Sequence, residues 1–531
     1  MSDELRDHDH GHDHERGGGD HRQDAREHGL SRRGMLGAGA AGAAAAMLFR
    51  PTGALAGPLG PPGRPGAPST SRESRLGRRT RLVHADLHNH SLQSDGAGDP
   101  ALAHASMRDA GLDVAALTDH TTISRPLGPV DACAAFPEPE PGSEDACRSL
   151  AGMSQKAWED TRRYADGADR PGRFTALRGF EWSSPLLGHM NVWFSQDWTD
   201  PLSTAGFSLS SLLQLGLTEA QIAGSLAPLG VAGERILDLI RRSEPAGMAL
   251  FYEWLVRSPN ALLGGGADGI AGFNHPNREP GVFDAFAFDP RLRERIVSME
   301  IMNRRDDYLF EGFAAGFPSP LVACLDAGWR VGLLGVTDEH GTDWGEPDGK
   351  GRAGLYVADL TRRSVRAALT ARDFYATNVR GLRLDATAQG TPMGRPVPDR
   401  SRTVTFEVDL DRGPEHAGDP VEIQVLTSGE EVPTVVHVES VRTPSPRERR
   451  PIRFRVPIDR ATARWAVLRI ADPARPNASP GPDGHPCNNL ALAYASPFYF
   501  EEGRRPVRHE VPRQRPGQGR PDVGRILRHG H

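Results

Sequence analysis

Short apolar runs that end in a histidine or a carboxylate recur along residues 82–340. This pattern constrains the chain more than any other. Runs at 82–87, 114–117, 174–180, 270–273 and 331–336 are followed by His88-Asn89-His90, Thr118-Asp119-His120, Glu181, Asn274-His275 and Thr337-Asp338-Glu339-His340. Further runs lie at 190–194 and 296–301, and helical patterns at 101–110, 153–164 and 320–327 separate several of them. Strands alternating with helices predict a parallel βα arrangement. In such folds the C-terminal ends of the strands open onto one mouth, where active sites gather. The ligand-type residues fall at that position one after another. His189 departs from the rule, because it leads into its run, and is expected to reach the mouth from a loop.

Borderline metals prefer imidazole and carboxylate ligands. His88 and His90, two residues apart at a strand end, project to the same side. Asp95, in a Ser94-Asp95-Gly96 turn, can return to the same mouth. A lone His-x-His is weak, since buried histidines satisfied by backbone are commoner than ligands; the recurrence carries the reading. The expected set is His88, His90, Asp95, His120, Glu181, His189, His275, Asp338 and His340, holding two to three divalent ions, with Mn, Fe and Zn all compatible. Glu181, Asp338 and His120 are the expected catalytic residues. Asp119 and Glu339 are expected to orient imidazoles, with a helix cap or a solvated loop charge as the alternative. Arg278, Arg304, Arg305, Glu300 and Asn303 are expected to face a substrate, the arginines offering bidentate contacts to a phosphate. The alternatives are surface charge for the arginines and a structural role for Glu300 and Asn303. No Gly-x-Ser-x-Gly elbow stands at a strand end, so a metal-activated water is the expected nucleophile.

The remaining sequence sets the frame. At 531 residues the chain is too long for one ordinary core. A net charge of −6 gives no pull toward nucleic acid. Residues 1–56 combine a His-rich leader, Ser31-Arg32-Arg33-Gly34, a Gly/Ala stretch to Phe49 and Ala54-Leu55-Ala56. This is the layout of a twin-arginine (Tat) export signal, with an uncleaved anchor or a disordered leader as the alternative. It implies the Tat machinery as partner and an extracellular, periplasmic or cell-envelope location. The apolar stretch is short of the ~20 residues of a membrane span, so none is expected in the mature protein. Residues 57–80 read as a disordered linker, 201–265 as a helical insertion serving as a lid, 381–500 as a small β-sandwich, and 501–531 as a disordered tail. Cys133 and Cys147 bracket a Pro/Glu-rich loop and are a candidate disulfide.

The motifs Asp86-Leu87-His88-Asn89-His90-Ser91 with Ser94-Asp95-Gly96, Leu117-Thr118-Asp119-His120, Gly179-Phe180-Glu181-Trp182, His275-Pro276 and Asp338-Glu339-His340 together resemble those of the PHP (polymerase and histidinol phosphatase) family. Glu181-Trp182 and Gly188-His189-Met190-Asn191 are similar to its CehA/McbA-like branch. The resemblance implies an α/β fold, a distorted seven-stranded βα barrel, over about residues 81–380, with a trinuclear metal site. His88, His90, Glu181 and Asp338 would hold one ion. Glu181 would share a second with His189 and His275, and Asp95, His120 and His340 would hold the third. The expected function is an exported phosphoesterase acting on small organic phosphate mono- or diesters. The rivals are a carboxylic or carbamic ester hydrolase and a non-catalytic secreted metal- or glycan-binding protein, for which Trp465 and Tyr494 are the available aromatics. A carboxylated-lysine site of the amidohydrolase type is disfavoured, because neither Lys156 nor Lys350 ends an apolar run.

Overall fold

The structure, a computed structural model, describes residues 72–500 apart from 124, 126–151, 205, 207, 215–216, 228–229, 245, 279–281, 346–349, 399–400, 446 and 449. The expected export signal, Cys133 and Cys147, and the tail from 501 lie outside the described residues. Among the described residues no single helix is long and apolar enough to cross a membrane.

The first half builds β1 (Arg81–Asp86), α1 (Pro100–Asp109), β2 (Val114–Leu117), β3 (His120–Thr121), α2 (Gln155–Ala168), β4 (Thr175–Ser184) and β5 (Gly188–Trp193). Helices α3 (Leu209–Gln214), α4 (Glu219–Leu226), α5 (Gly230–Arg242) and α6 (Ala249–Val256) follow. Then come β6 (Ile270–Phe273), β7 (Ile296–Asn303), β8 (Asp306–Asp307), α7 (Pro320–Ala327), β9 (Gly332–Val336), β10 (Arg352–Val357), α8 (Arg362–Ala371) and β11 (Phe374–Thr377). Side chains of Asp99, Ser154 and Thr361 cap α1, α2 and α8, satisfying backbone N–H groups that a helix start leaves open.

Strands β1, β2 and β4 run parallel, β5 is antiparallel to both β4 and β6, and β6, β7 and β9 run parallel. The order is therefore β9-β7-β6-β5-β4-β2-β1, with antiparallel β10 and β11 beyond β1. One buried cluster draws Val83, Val114, Leu177, Trp193, Ile270, Val297, Leu334 and Ala353 from these strands, so the sheet wraps around a shared inner face. At the mouth β1 and β9 meet: Asn89 and Glu339 form a parallel bridge, and Asp338 N–H donates to the His88 carbonyl at 3.0 Å. Further down, β9 lies against β10 without a ladder among the described residues. Gly335 permits this approach, since a Cβ there would sit 2.3 Å from the Arg352 carbonyl oxygen.

The second half contains β12 (Arg383–Ala388), β13 (Thr391–Pro392), β14 (Pro396–Val397), β15 (Thr403–Asp411), β16 (Pro420–Thr427), β17 (Thr434–Arg442), β18 (Ile452–Pro457), β19 (Trp465–Pro476), β20 (Asn489–Ala495) and β21 (Phe498–Phe500). An antiparallel sheet β13-β12-β15-β18 packs Leu384, Phe406 and Val408 against Ile423, Leu468 and Ile470 of β16 and β19. Strand β20 pairs with both β19 and β11, so the two halves share one continuous ladder.

Two sequence expectations need correction. Residues 72–80, read as linker, are anchored: Arg72 pairs with Asp113 at 2.5 Å, and Arg78 bonds Asp385 at 2.8 Å and Asp373 at 3.1 Å. The stretch looked like linker because its contacts are polar and leave no apolar period. The lid reading fails for α6. Its Phe251 and Trp254 pack on Trp182 and Phe180, and Trp182, adjacent to Glu181 in a strand, points to the opposite face of the sheet.

Candidate metal centre

Strand register delivers the central carboxylate. Leu177 of β4 is on the inner face, and a period of two places Gly179 and Glu181 there as well. Gly179 lets β4 and β5 close up, since a Cβ there would stand 2.5 Å from the Val192 carbonyl oxygen. Glu181 is fully buried among imidazoles. Its Oε1 lies 3.2 Å from His88 Nε2, 3.3 Å from His189 Nδ1 and 3.3 Å from His275 Nε2; its Oε2 lies 2.5 Å from His120 Nδ1 and 3.6 Å from His90 Nε2.

Two further groupings surround this hub. Asp338 Oδ1 lies 3.1 Å from His90 Nε2 and 3.4 Å from His88 Nε2. Asp95 Oδ1 lies 3.4 Å from His340 Nε2, 3.5 Å from His120 Nε2 and 3.9 Å from His90 Nδ1. Three sets of ligand atoms thus converge: His88, His90 and Glu181; His90, Asp95, His120 and His340; and His120, Glu181 and His189. Each could hold a divalent ion. All nine residues expected as ligands are brought together. His120 appears beside Glu181 and His189 where the resemblance places His275, although His275 also touches Glu181.

His189 is not on a loop. It is the second residue of β5, opposite Ser183. Strand β5 is antiparallel, so it starts at the mouth where its parallel neighbours end. Asp338 and His275 adopt left-handed backbone, with φ of 50° and 20°. Such conformations cost non-glycine residues ~1–3 kcal/mol and persist only where the surroundings enforce them. Here neighbours hold both backbones: Asp338 N–H bonds the His88 carbonyl, and His275 N–H donates to Glu300 Oε2 at 2.8 Å.

The surrounding residues set which ring nitrogen faces inward. Glu300 Oε1 lies 2.8 Å from His88 Nδ1 and accepts a hydrogen bond from its N–H, leaving Nε2 as the ligand atom. The Asp338 carbonyl, 2.9 Å from His340 Nδ1, does the same for His340. Arg304, 3.0 Å from that nitrogen, then contributes charge rather than a hydrogen bond. Asn274 Nδ2 donates to Glu181 Oε1 at 2.7 Å, and Ser183 Oγ lies 2.6 Å from His120 Nδ1. Sequence reasoning missed these last two, although each stands within two residues of a recognised ligand.

Other expected roles differ. Among the described residues Asp119 touches no imidazole; it accepts from Ser91 N–H at 2.7 Å and from the Ser91 and Ser94 hydroxyls, fixing the turn that carries Asp95. Glu339 pairs with Lys350 at 2.5 Å and accepts from Gly341 N–H. Glu300 and Asn303 were expected beside the substrate, but they bond each other at 2.8 Å behind the cluster and are almost fully buried. Arg278 and Arg304 stand at the mouth, 3.3 and 3.6 Å from Asp338 Oδ2, while Arg305 is exposed and makes no described contact with the cluster.

The electrostatics fit cations. Burial alone would raise Glu181, but His120, His88 and His189 hold it well below the usual carboxylate range. Asp338 behaves alike, its burial outweighed by His88, Arg304 and His340. Conversely, burial opposes a proton on His120, yet Asp95 and Glu181 push it up to about 9. The buried carboxylates demand positive charge at the centre. His90 Nδ1, Glu181 Oε2 and His189 Nδ1 are also buried without a well-directed hydrogen bond. Buried polar atoms normally have partners, and a coordinated ion would supply one for each.

A profile of the family described as protein of unknown function (DUF3604) matches residues 109–212. No curated protein matches. Among solved structures, a two-domain protein containing a predicted PHP-like metal-dependent phosphoesterase from Bacteroides vulgatus is 13% identical, covering 83% of this chain and all of its own, at a TM-score of 0.34. A candidate metal-dependent phosphoesterase from Bifidobacterium adolescentis is 16% identical over 54% of this chain and 95% of its own, at 0.25. An amidohydrolase from Chromobacterium violaceum, with bound sulfate and no metal, is 18% identical over 48% of this chain and 87% of its own, at 0.21.

Proposed function

We propose that the chain is a PHP-type metal-dependent hydrolase that cleaves phosphate mono- or diesters of small organic molecules. The supporting observation is the single buried carboxylate of Glu181, which His88, His189 and His275 approach at one oxygen and His120 and His90 at the other. One carboxylate shared in this way suits a ligand bridging two ions. Bound divalent ions supply Lewis acidity, which makes water a competent nucleophile near neutral pH and stabilises charge on the ester oxygens. His88, His90, Glu181 and Asp338 would hold one ion, Glu181 with His189 and His275 a second, and Asp95, His120 and His340 a third; Mn, Fe and Zn all suit this donor set. Arg278 and Arg304, at the mouth, favour an anionic substrate over a neutral carboxylic or carbamic ester. The glycan-binding alternative loses its aromatics, because Trp465 and Tyr494 are buried. Residues 1–56 are proposed to direct Tat export.

The test is turnover of p-nitrophenyl phosphate, bis(p-nitrophenyl) phosphate, p-nitrophenyl acetate and an aryl carbamate by protein loaded with Mn, Fe or Zn. Phosphate-ester hydrolysis is expected. Turnover of only the acetate or carbamate transfers the assignment to the ester hydrolase, and metal binding without any turnover transfers it to a binding protein.

A further inference from the structure

The hairpin after β7 joins the mouth to the C-terminal β-domain. Strand β8 ends at Asp307, and Tyr308 follows in a short turn, Tyr308–Phe310. The Tyr308 hydroxyl accepts a hydrogen bond from Arg278 Nη2 at 2.6 Å, while Arg278 Nη1 reaches Asp338 Oδ2 at 3.3 Å. Tyr308 and Asp338 are buried, whereas the Arg278 side chain is 36% exposed. The guanidinium is thus held from behind and presented toward the mouth.

What holds Tyr308 comes from the far domain. Asp307 caps the turn by accepting from Leu309 N–H at 3.1 Å. Its carboxylate also accepts from the Tyr494 hydroxyl at 2.8 Å, Asn477 Nδ2 at 3.2 Å and Arg469 Nη2 at 3.5 Å. Arg469 is fully buried and is fixed in turn by Gln424 at 2.8 Å and Asn489 at 2.6 Å. The β19–β20 connection grips the same turn: His485 stacks edge-on to Phe310 with ring centroids 5.0 Å apart, and Gly481 lies so near that a Cβ would meet Phe310 at 2.5 Å. A buried arginine with this many partners exceeds what joining two domains requires. Apolar packing would serve as well, without the desolvation cost of the charge.

We propose that the β-domain is part of the site: Arg469, Asn477 and Tyr494 hold Asp307, and Asp307 seats Tyr308 so that its hydroxyl fixes Arg278 as the contact for a substrate's anionic group. The substrate class rests on the hydrolase reading above. Arg278 touches the substrate, and Tyr308, Asp307 and the β-domain trio are positioning residues. A cation held in place by a neighbour binds an anion more tightly than a mobile one, because less side-chain freedom is lost on binding.

The test titrates inorganic phosphate into the metal-loaded full chain by calorimetry. Arg278→Met should weaken phosphate binding roughly tenfold, and Tyr308→Phe and Asn477→Ala roughly three- to tenfold, as expected for a charge-assisted hydrogen bond and its support. Metal content should stay unchanged. In an Arg278→Met background the second substitutions should have no further effect, since residues that act through one group are not additive. A merely structural role would give additive losses. Wild-type affinity in Tyr308→Phe, full additivity, or a wild-type protein that binds no phosphate overturns the proposal. If Asn477→Ala fails to fold, Tyr308→Phe carries the test alone. Phosphate binding with the expected pattern but no ester hydrolysis would leave this positioning intact and remove the hydrolase assignment.

Discussion

Glu300 and His88 form a buried pair, with Glu300 Oε1 2.8 Å from His88 Nδ1 and Glu181 on the opposite edge of the ring at Nε2. The carboxylate fixes the tautomer and turns the other nitrogen toward the centre. Glu300 is itself immobilised by His275 N–H and Asn303. Glu300→Ala should therefore weaken metal binding by roughly 10–100-fold, the usual cost of losing such a partner. Competition with a chromophoric chelator measures this. Unchanged affinity would mean that packing alone orients His88.

Glu181 is the residue on which the most imidazoles converge, so its loss should be felt at several ligand sets together. Glu181→Gln keeps the shape and removes the charge. Hydrolysis should fall by more than the roughly 10–100-fold of a positioning neighbour, and bound metal measured by elemental analysis should drop. His120→Ala, which removes a donor from two sets, should also abolish turnover. Circular dichroism should show both variants folded. Full activity in either would remove that residue from the site.

The ligands were legible because strand ends are legible. An apolar run stops where the chain leaves the core, and a polar residue there stands out. The direction of β5 was not legible, and His189 was therefore misplaced on a loop, since strand orientation is set by partners far away in sequence. Asp119 and Glu300 departed from their expected roles for a related reason. Asp119 follows an apolar run and Glu300 lies within one, but which buried carboxylate meets an imidazole and which meets a serine turn depends on register, and β7 carries an irregularity between Glu300 and Met302. Strand β12 went unread because Arg383 and Asp385 interrupt its apolar pattern. Both are buried and paired, Arg383 with Asp409 at 3.0 Å and Asp385 with Arg78 at 2.8 Å.

His104 gives a pH dependence separate from the metal cluster. Burial pushes its imidazole down to about 4, although the Leu177 carbonyl 3.3 Å away favours the charged form. The unfolded chain takes up this proton at the ordinary value, so it binds more protons than the folded chain between about pH 6.5 and 4. Stability is thus full above that window and falls as the pH is lowered through it. The shift corresponds to roughly 3 kcal/mol. Urea unfolding at pH 7 and pH 4 should show His104→Gln losing less stability than wild type by about that amount. Equal losses would show that this imidazole is not held neutral.

Arg78 tests whether residues 72–80 belong to the folded unit. Its Nε lies 2.8 Å from both oxygens of Asp385, which is fully buried, and its Nη1 reaches Asp373 at 3.1 Å. Burial raises the Asp385 carboxyl, and Arg78 is the leading group that counters it. Removing one partner of a buried ion pair leaves an uncompensated charge, at a cost of ~3–5 kcal/mol. Arg78→Met should lower unfolding stability in urea by that amount. A double variant, Arg78→Met with Asp385→Leu, should recover most of it, because the apolar pair removes the charge that lacked a partner. A single substitution that costs less than ~1 kcal/mol, the range of an exposed pair, would return the segment to the status of a linker resting on the surface.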